Sequence, residues 1–190
     1  MDRIKELVKI YIAPDLKSHG FKKRAHKWKR ERGEIVDIIQ VVSSKWNSLN
    51  DESCHIEYGV CVPSFHSLIW SEKLDDFPIE ADAVFKGSLK KNIKFEANED
   101  IKNKGLLLKQ ILINDIIPEL EKFIDYHSLY HHLELMNVMD KRYPLDKIHY
   151  CLLKKEIGHI DEAKATYKAI MDDSNKVWSE KVNGIFQELF

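Results

Sequence analysis

The side chains able to do chemistry fall into three groups. From Lys17 to Arg32 there are eight lysines and arginines and one acid, Glu31, an excess of seven positive charges in a chain whose formal net charge is −1. Lys22, Lys23, Arg24, Lys27, Lys29 and Arg30, with Trp28 among them, suit an anion: phosphates would neutralise the cations while the indole stacks on a base. The plainer reading is an edge strand protected from aggregation by lysine, with basic residues near the C-terminal end of the first helix. His127, His131 and Glu134 recur at i, i+4 and i+7 on one side of a helix, a spacing that could hold a divalent metal. A solvated polar face gives the same pattern and no second ligand pair is visible, so no metal is assigned. His55 and Glu57 share one face of a strand, and with Arg30 from a paired strand would line a polar sheet surface; a cross-strand ion pair is the simpler account.

Other chemistries lack a local signature. The seven glycines never come closer than thirteen residues apart, which excludes a glycine-rich phosphate cradle of the P-loop or dinucleotide type. There is no Gly-x-Ser-x-Gly, no His-Glu-x-x-His and no Cys-x-x-Cys. No catalytic residue and no cofactor are assigned. Cys54 and Cys61 would lie on opposite faces of one strand, so the three cysteines read as small buried hydrophobes.

These side chains are positioned by elements legible in the apolar spacing. Ile4, Leu7, Val8, Tyr11, Ile12 and Leu16 predict an amphipathic first helix with Asp2 as N-cap, Gly20 as left-handed stop, and a kink or tightened turn before Pro14. Ile35 to Val42 is apolar on both alternating faces, as a strand buried from two sides should be. Cys54 to Val62 alternates, with Cys54, Ile56, Tyr58, Val60 and Val62 on one face and His55, Glu57 and Cys61 on the other. With the basic segment, which turns at Arg32-Gly33, these make a three-stranded antiparallel meander. Ser64 is expected to cap a short helix, 72–82 to form an acidic surface loop, and Val84 to Phe85 with Leu89 to Phe95 to supply one or two more strands, with Lys90, Lys91 and Lys94 marking an edge position. From Ile101 onward the pattern is helical. One helix ends or bends at Pro118, the next carries Leu129, Leu133 and Met136, and a third runs from Pro144 to Gly158.

The fold class is therefore α+β: an N-terminal helix on an antiparallel meander, then an all-helical C-terminal third. Residues 1–135 are expected to form the α+β domain and 136–190 a helical hairpin with a final helix packed on it. The start of the chain is charged and amphipathic, unlike a secretory signal, and no apolar run reaches the ~20 residues of a membrane span. A cytoplasmic protein is expected.

Gly20-Phe21-Lys22-Lys23, Trp28, Arg30, Ile38 to Trp46, and Ile56-Glu57-Tyr58-Gly59-Val60 follow one another in a known order and spacing. Asp82 with Phe85-Lys86-Gly87, and Ile117-Pro118 with Phe123 and Leu129, continue it. The chain resembles the bacterial domain-of-unknown-function family numbered 4304 over about residues 4–135, which implies a compact α+β domain and carries no activity with it. Gly158, Ile160, Ala163 and Tyr167 resemble the small and aromatic positions of one tetratricopeptide unit, which cannot bury its own apolar face and needs the main domain or the final helix of Val177, Trp178, Ile185 and Phe186. The expected function is non-enzymatic protein binding or regulation, of an immunity or adaptor type, with a protein partner. The alternative is nucleic-acid or anion binding through 17–32.

Overall fold

The computed structural model describes residues 3–48, 51–89, 92–96, 99–140, 143–173 and 176–189. They fall into two compact units, Met1–Cys61 with Asp75–Lys122, and Val62–Leu74 with Phe123–Phe190. The second unit thus takes in a short mid-chain helix and the helix of residues 126–135, which a cut after residue 135 would leave with the first. Asp2, Lys90, Lys91 and the side chain of Val177 lie outside the described residues.

The first unit is built on an antiparallel sheet: β1 (Lys22–Arg24), β2 (Lys27–Arg32), β3 (Ile35–Ser43), β4 (Glu52–Cys61), β5 (Phe85–Ser88) and β6 (Ile93–Phe95). The order is β1-β2-β3-β4, with β5 and β6 both on the far edge of β4. The basic segment is not one strand but a hairpin, because Ala25 takes a left-handed conformation (φ 54°) and reverses the chain at His26. β3 is central and buried on both faces, and β4 alternates as its sequence predicts. β5 pairs with β4 along Glu57–Val60 and β6 along Glu52–Cys54.

Two helices of this unit share one construction. The first, α1, runs through Arg3–Leu7, a π turn at Val8–Ile12 and Ala13–Ser18; the helix after β6, α3, runs through Ile101–Ile111, a π turn at Leu112–Ile116 and Ile117–Glu121. In each, the N–H just before the proline bonds five residues back, Ala13 to Val8 O and Ile117 to Leu112 O. Proline lacks an N–H and its ring collides with the carbonyl four residues back, so the helix gains a residue in that turn rather than stopping. The expected tightened turn before Pro14 is therefore a widened one, and Pro118 does not end its helix. The buried residues follow: Ile4, Val8, Ile12 and Leu16 in α1, and Leu108, Leu112, Ile116 and Leu120 in α3, recur at strict intervals of four. In a pure α-helix that interval drifts by roughly 40° per step; the π turn rotates the stripe back onto one face. Gly105 lets the two helices close up, since a Cβ there would stand 2.2 Å from the Tyr11 ring. The α1 N-terminus is fixed by buried Glu52 on β4, which accepts from Ile4 N (3.3 Å) and Arg3 Nε (3.1 Å).

The second unit is helical: α2 (Pro63–Trp70), α4 (Tyr126–Leu135), α5 (Pro144–Glu156), α6 (Ile160–Asp173) and α7 (Lys176–Leu189). Val62, not Ser64, is the N-cap of α2, because Pro63 takes the first helical position, where no N–H is needed. Asp125 and Ser128 form a capping box for α4. Leu129 and Leu133 are buried as expected, but Met136 falls past the helix end and is 49% exposed. Gly158 (φ 89°) ends α5. Tyr150 stacks on Tyr130 of α4 (5.3 Å, 6°) and Tyr167 meets Phe186 of α7 (4.8 Å), so the α5–α6 hairpin is covered on both sides. Lys181 of α7 donates to Ile69 O (2.6 Å) at the end of α2 and lies 4.0 Å over Trp70, which also meets Trp178 edge-on. No helix among the described residues is long and apolar enough to cross a membrane.

Candidate functional site

The basic hairpin is largely occupied by the protein itself. Its residues alternate between the sheet faces, with Lys22, Arg24, Lys27 and Lys29 on one and Lys23, Trp28, Arg30 and Arg32 on the other. On the first face the segment 75–82 lies across the strands instead of forming a free surface loop. Asp75 accepts from Arg24 (2.8 Å), Asp76 and Glu31 flank Lys29 (2.5 and 2.8 Å), Phe77 lies under Arg24 and Lys29, and Lys27 donates to Phe77 O. Hydrogen bonds donated to Asp76 and Glu31 raise the Lys29 pKa, and Lys29 in turn holds Glu31 and Asp76 below their ordinary values. Asp75 is lowered mainly by the Phe77 N–H, with Arg24 adding to it.

On the other face Trp28 is 1% exposed, part of the core, and stacking on a base is out of its reach. Lys23 lies 5.4 Å over its ring. Arg30 and Arg32 converge on Asp37, whose side chain is fully buried. Asp37 accepts from Arg30 Nε (2.8 Å), Arg32 Nε (2.7 Å) and Arg32 Nη2 (2.6 Å). The arginines reach onward to helix ends: Arg32 donates to Leu120 O (2.9 Å) in α3, and Arg30 to His19 O (3.4 Å) after α1 and to Glu121 (3.2 Å). Two cations thus meet the negative ends of the two π-turn helices, and Asp37 neutralises them. The sequence signal was present, since Asp37 interrupts an otherwise apolar central strand.

His55 and Glu57 do share the expected face, 2.9 Å apart, and Gln40, opposite on β3, donates to Glu57. Arg30 does not join them; it points from the opposite side of the sheet, and Lys27 is the β2 residue in their row. His131 lies 3.6 Å from Glu134 on exposed α4, and among the described residues no group of three His, Cys, Asp or Glu side chains could hold a metal ion. All three cysteines are free and buried, and burial pushes the Cys54 thiol up to about 11 and Cys151 to about 12.

The feature that the motif search missed lies between α3 and the edge of the sheet. Between β6 and α3 lies a groove of about 880 Å³, lined by Leu89, Ile93, Leu107, Leu108 and Ile111 with Asn92, Lys94 and Lys104 at its polar margin. Leu107, which lines it, is 55% exposed. The signal was the run Leu106-Leu107-Leu108 followed by Ile111, Leu112 and Ile113: this apolar arc is wider than one buried stripe needs, and the stripe at Leu108, Leu112 and Ile116 leaves the others outside.

A family model described as Domain of unknown function (DUF4304) matches residues 12–188. No curated protein and no solved structure matches the chain. The family match begins within the first π turn and runs to the last residues of α7, past the 135 at which the resemblance in sequence ends. The chain, taken over nearly its whole length, therefore belongs to the DUF4304 family.

Proposed function

We propose that this chain is a non-enzymatic protein-binding or regulatory domain, of an immunity or adaptor kind, working in the bacterial cytosol. The groove between α3 and the β6 edge of the sheet carries the reading. It combines aliphatic side chains left in solvent with a cationic margin, on a rigid frame of sheet and helix. The α5–α6 hairpin, taken as a single tetratricopeptide-like unit, serves as a packing element in this proposal, covered by α4 and α7.

Binding of nucleic acid through 17–32 is the weaker reading, because Trp28 is buried and Arg24, Lys29, Arg30 and Arg32 have acidic partners within the fold. The test is affinity purification of the tagged chain from its own cell extract, beside a Leu107→Asp variant. A specific protein retained by the parent and lost from the variant is the expected result. Recovery of the parent alone, or retention of an oligonucleotide at physiological salt, overturns it.

A further inference from the structure

We infer that the face of the basic hairpin built by Arg24, Lys27 and Lys29 is a peptide site that the chain's own segment 75–79 occupies. When displaced, that segment gives way to an acidic stretch with one aromatic ring from a partner protein. The surface lies apart from the groove, so the inference goes beyond the reading above. Three observations carry it. First, segment 75–79 sits on the hairpin as a docked peptide would. It has neither helix nor strand, and among the described residues no backbone–backbone hydrogen bond joins it to the sheet. Side chains hold it: Arg24 donates to Asp75 (2.8 Å) and Lys29 to Asp76 (2.5 Å), and the Phe77 ring lies 4.8 Å from the Arg24 guanidinium and 5.3 Å from the Lys29 ammonium. Its main chain contributes Phe77 O, which accepts from Lys27 (3.3 Å).

Second, these contacts are exchangeable. The side chains of Asp75 and Asp76 are 60% and 69% exposed, so their ion pairs are screened by salt and do little to hold the segment down. Phe77, which is buried, is the anchor. A partner stretch that offers carboxylates and a ring in the same places replaces each contact it breaks.

Third, the segment leaves the face short of negative charge. Lys22, Arg24, Lys27 and Lys29 share this face, against one carboxylate from the hairpin, Glu31, and two from the segment. A stretch with three or more carboxylates around its ring matches the face better than 75–79 does, and its charge selects it and speeds encounter. A nucleic-acid strand would meet the same cations without a ring to stack on, since Trp28 is buried on the other face.

The test uses a labelled synthetic peptide of residues 72–80 carrying Lys73→Glu, titrated by fluorescence anisotropy against the full chain and against its Asp75→Asn, Asp76→Asn double variant. The tethered segment competes at a high effective concentration, so the parent should bind weakly and the double variant about tenfold more tightly. A second peptide of equal charge, with Phe77→Ser, should bind the double variant about threefold more weakly than the first, and adding Arg24→Glu to the double variant should weaken the first peptide about tenfold. The substituted side chains of the protein are at the surface, and circular dichroism checks that each variant keeps the fold. Equal binding by parent and double variant, binding by neither, equal binding of the two peptides, or tighter binding of an oligothymidylate than of the first peptide would each overturn the inference. None of these results bears on the groove, whose reading is tested at Leu107.

Discussion

The basic hairpin and the α3 groove are opposites. The hairpin holds the densest charge in the sequence, yet the fold uses most of it: Arg24 and Lys29 face Asp75 and Asp76, and Arg30 and Arg32 share Asp37. The groove has an ordinary composition, yet Leu107 on its wall is left in water. Availability, not density, separates a surface that can bind from one that is already bound. A charge already paired has little left to give a ligand, whereas an aliphatic side chain in solvent still has its burial to gain.

The comparison breaks most readily at Asp37. Removing it in Asp37→Ala leaves Arg32 without its counter-charge and Arg30 with only the half-exposed Glu121, and stability measured by urea unfolding should fall by about 3–5 kcal/mol. If the variant melts like the parent, the cluster is not what ties the sheet to the helix ends. Trp28→Ala should cost a similar amount, about 3–5 kcal/mol, as a core truncation; a variant that lost only oligonucleotide binding, at full stability, would restore Trp28 as a surface ligand. Gly59→Ala places a Cβ 2.4 Å from Phe85 O and should cost on the order of 1–3 kcal/mol through displacement of β5.

A smaller effect sharpens the contrast directly. In Asp75→Asn with Asp76→Asn, Arg24 and Lys29 lose partners, so the double variant should elute later than the parent from a heparin column at pH 7. The carboxyls of Asp75, Asp76 and Glu31 lie below their ordinary values, so their ion pairs are intact at neutral pH. What these pairs contribute is present above the ordinary carboxylate pKa of about 4 and is lost only as pH falls through the depressed values. The later elution of the double variant relative to the parent should therefore persist down to about pH 4 and shrink below it, as the parent's own pairs are lost. The smallest expected effect on stability is Leu107→Asp, within about 0.5 kcal/mol; a larger loss would mean that Leu107 is held inside and the groove is not open.

Much of the resemblance to the family is carried by packing. Gly20 takes a left-handed turn (φ 83°) after α1, Phe21 lies under the Arg30 guanidinium, and Trp28 fills the core. Tyr58 covers Gly87 on β5, where a Cβ would stand 2.4 Å from its ring. These positions were legible because each is a residue type that only one local geometry suits. The groove was not, because an exposed leucine and a buried one read alike in a helix until the neighbouring strand is placed.

The sequence by itself determined the strands, through alternation on β4 and two-sided apolarity on β3. It also marked helix limits, through Pro144 and Gly158, since these depend on backbone conformations within a few residues. Only the tertiary structure decided which charges were spent. Arg32 is five residues from Asp37 but eighty-eight from Leu120, and Lys29 is forty-seven from Asp76. Pairing over such separations follows from how the sheet and the helices meet, which no local pattern encodes.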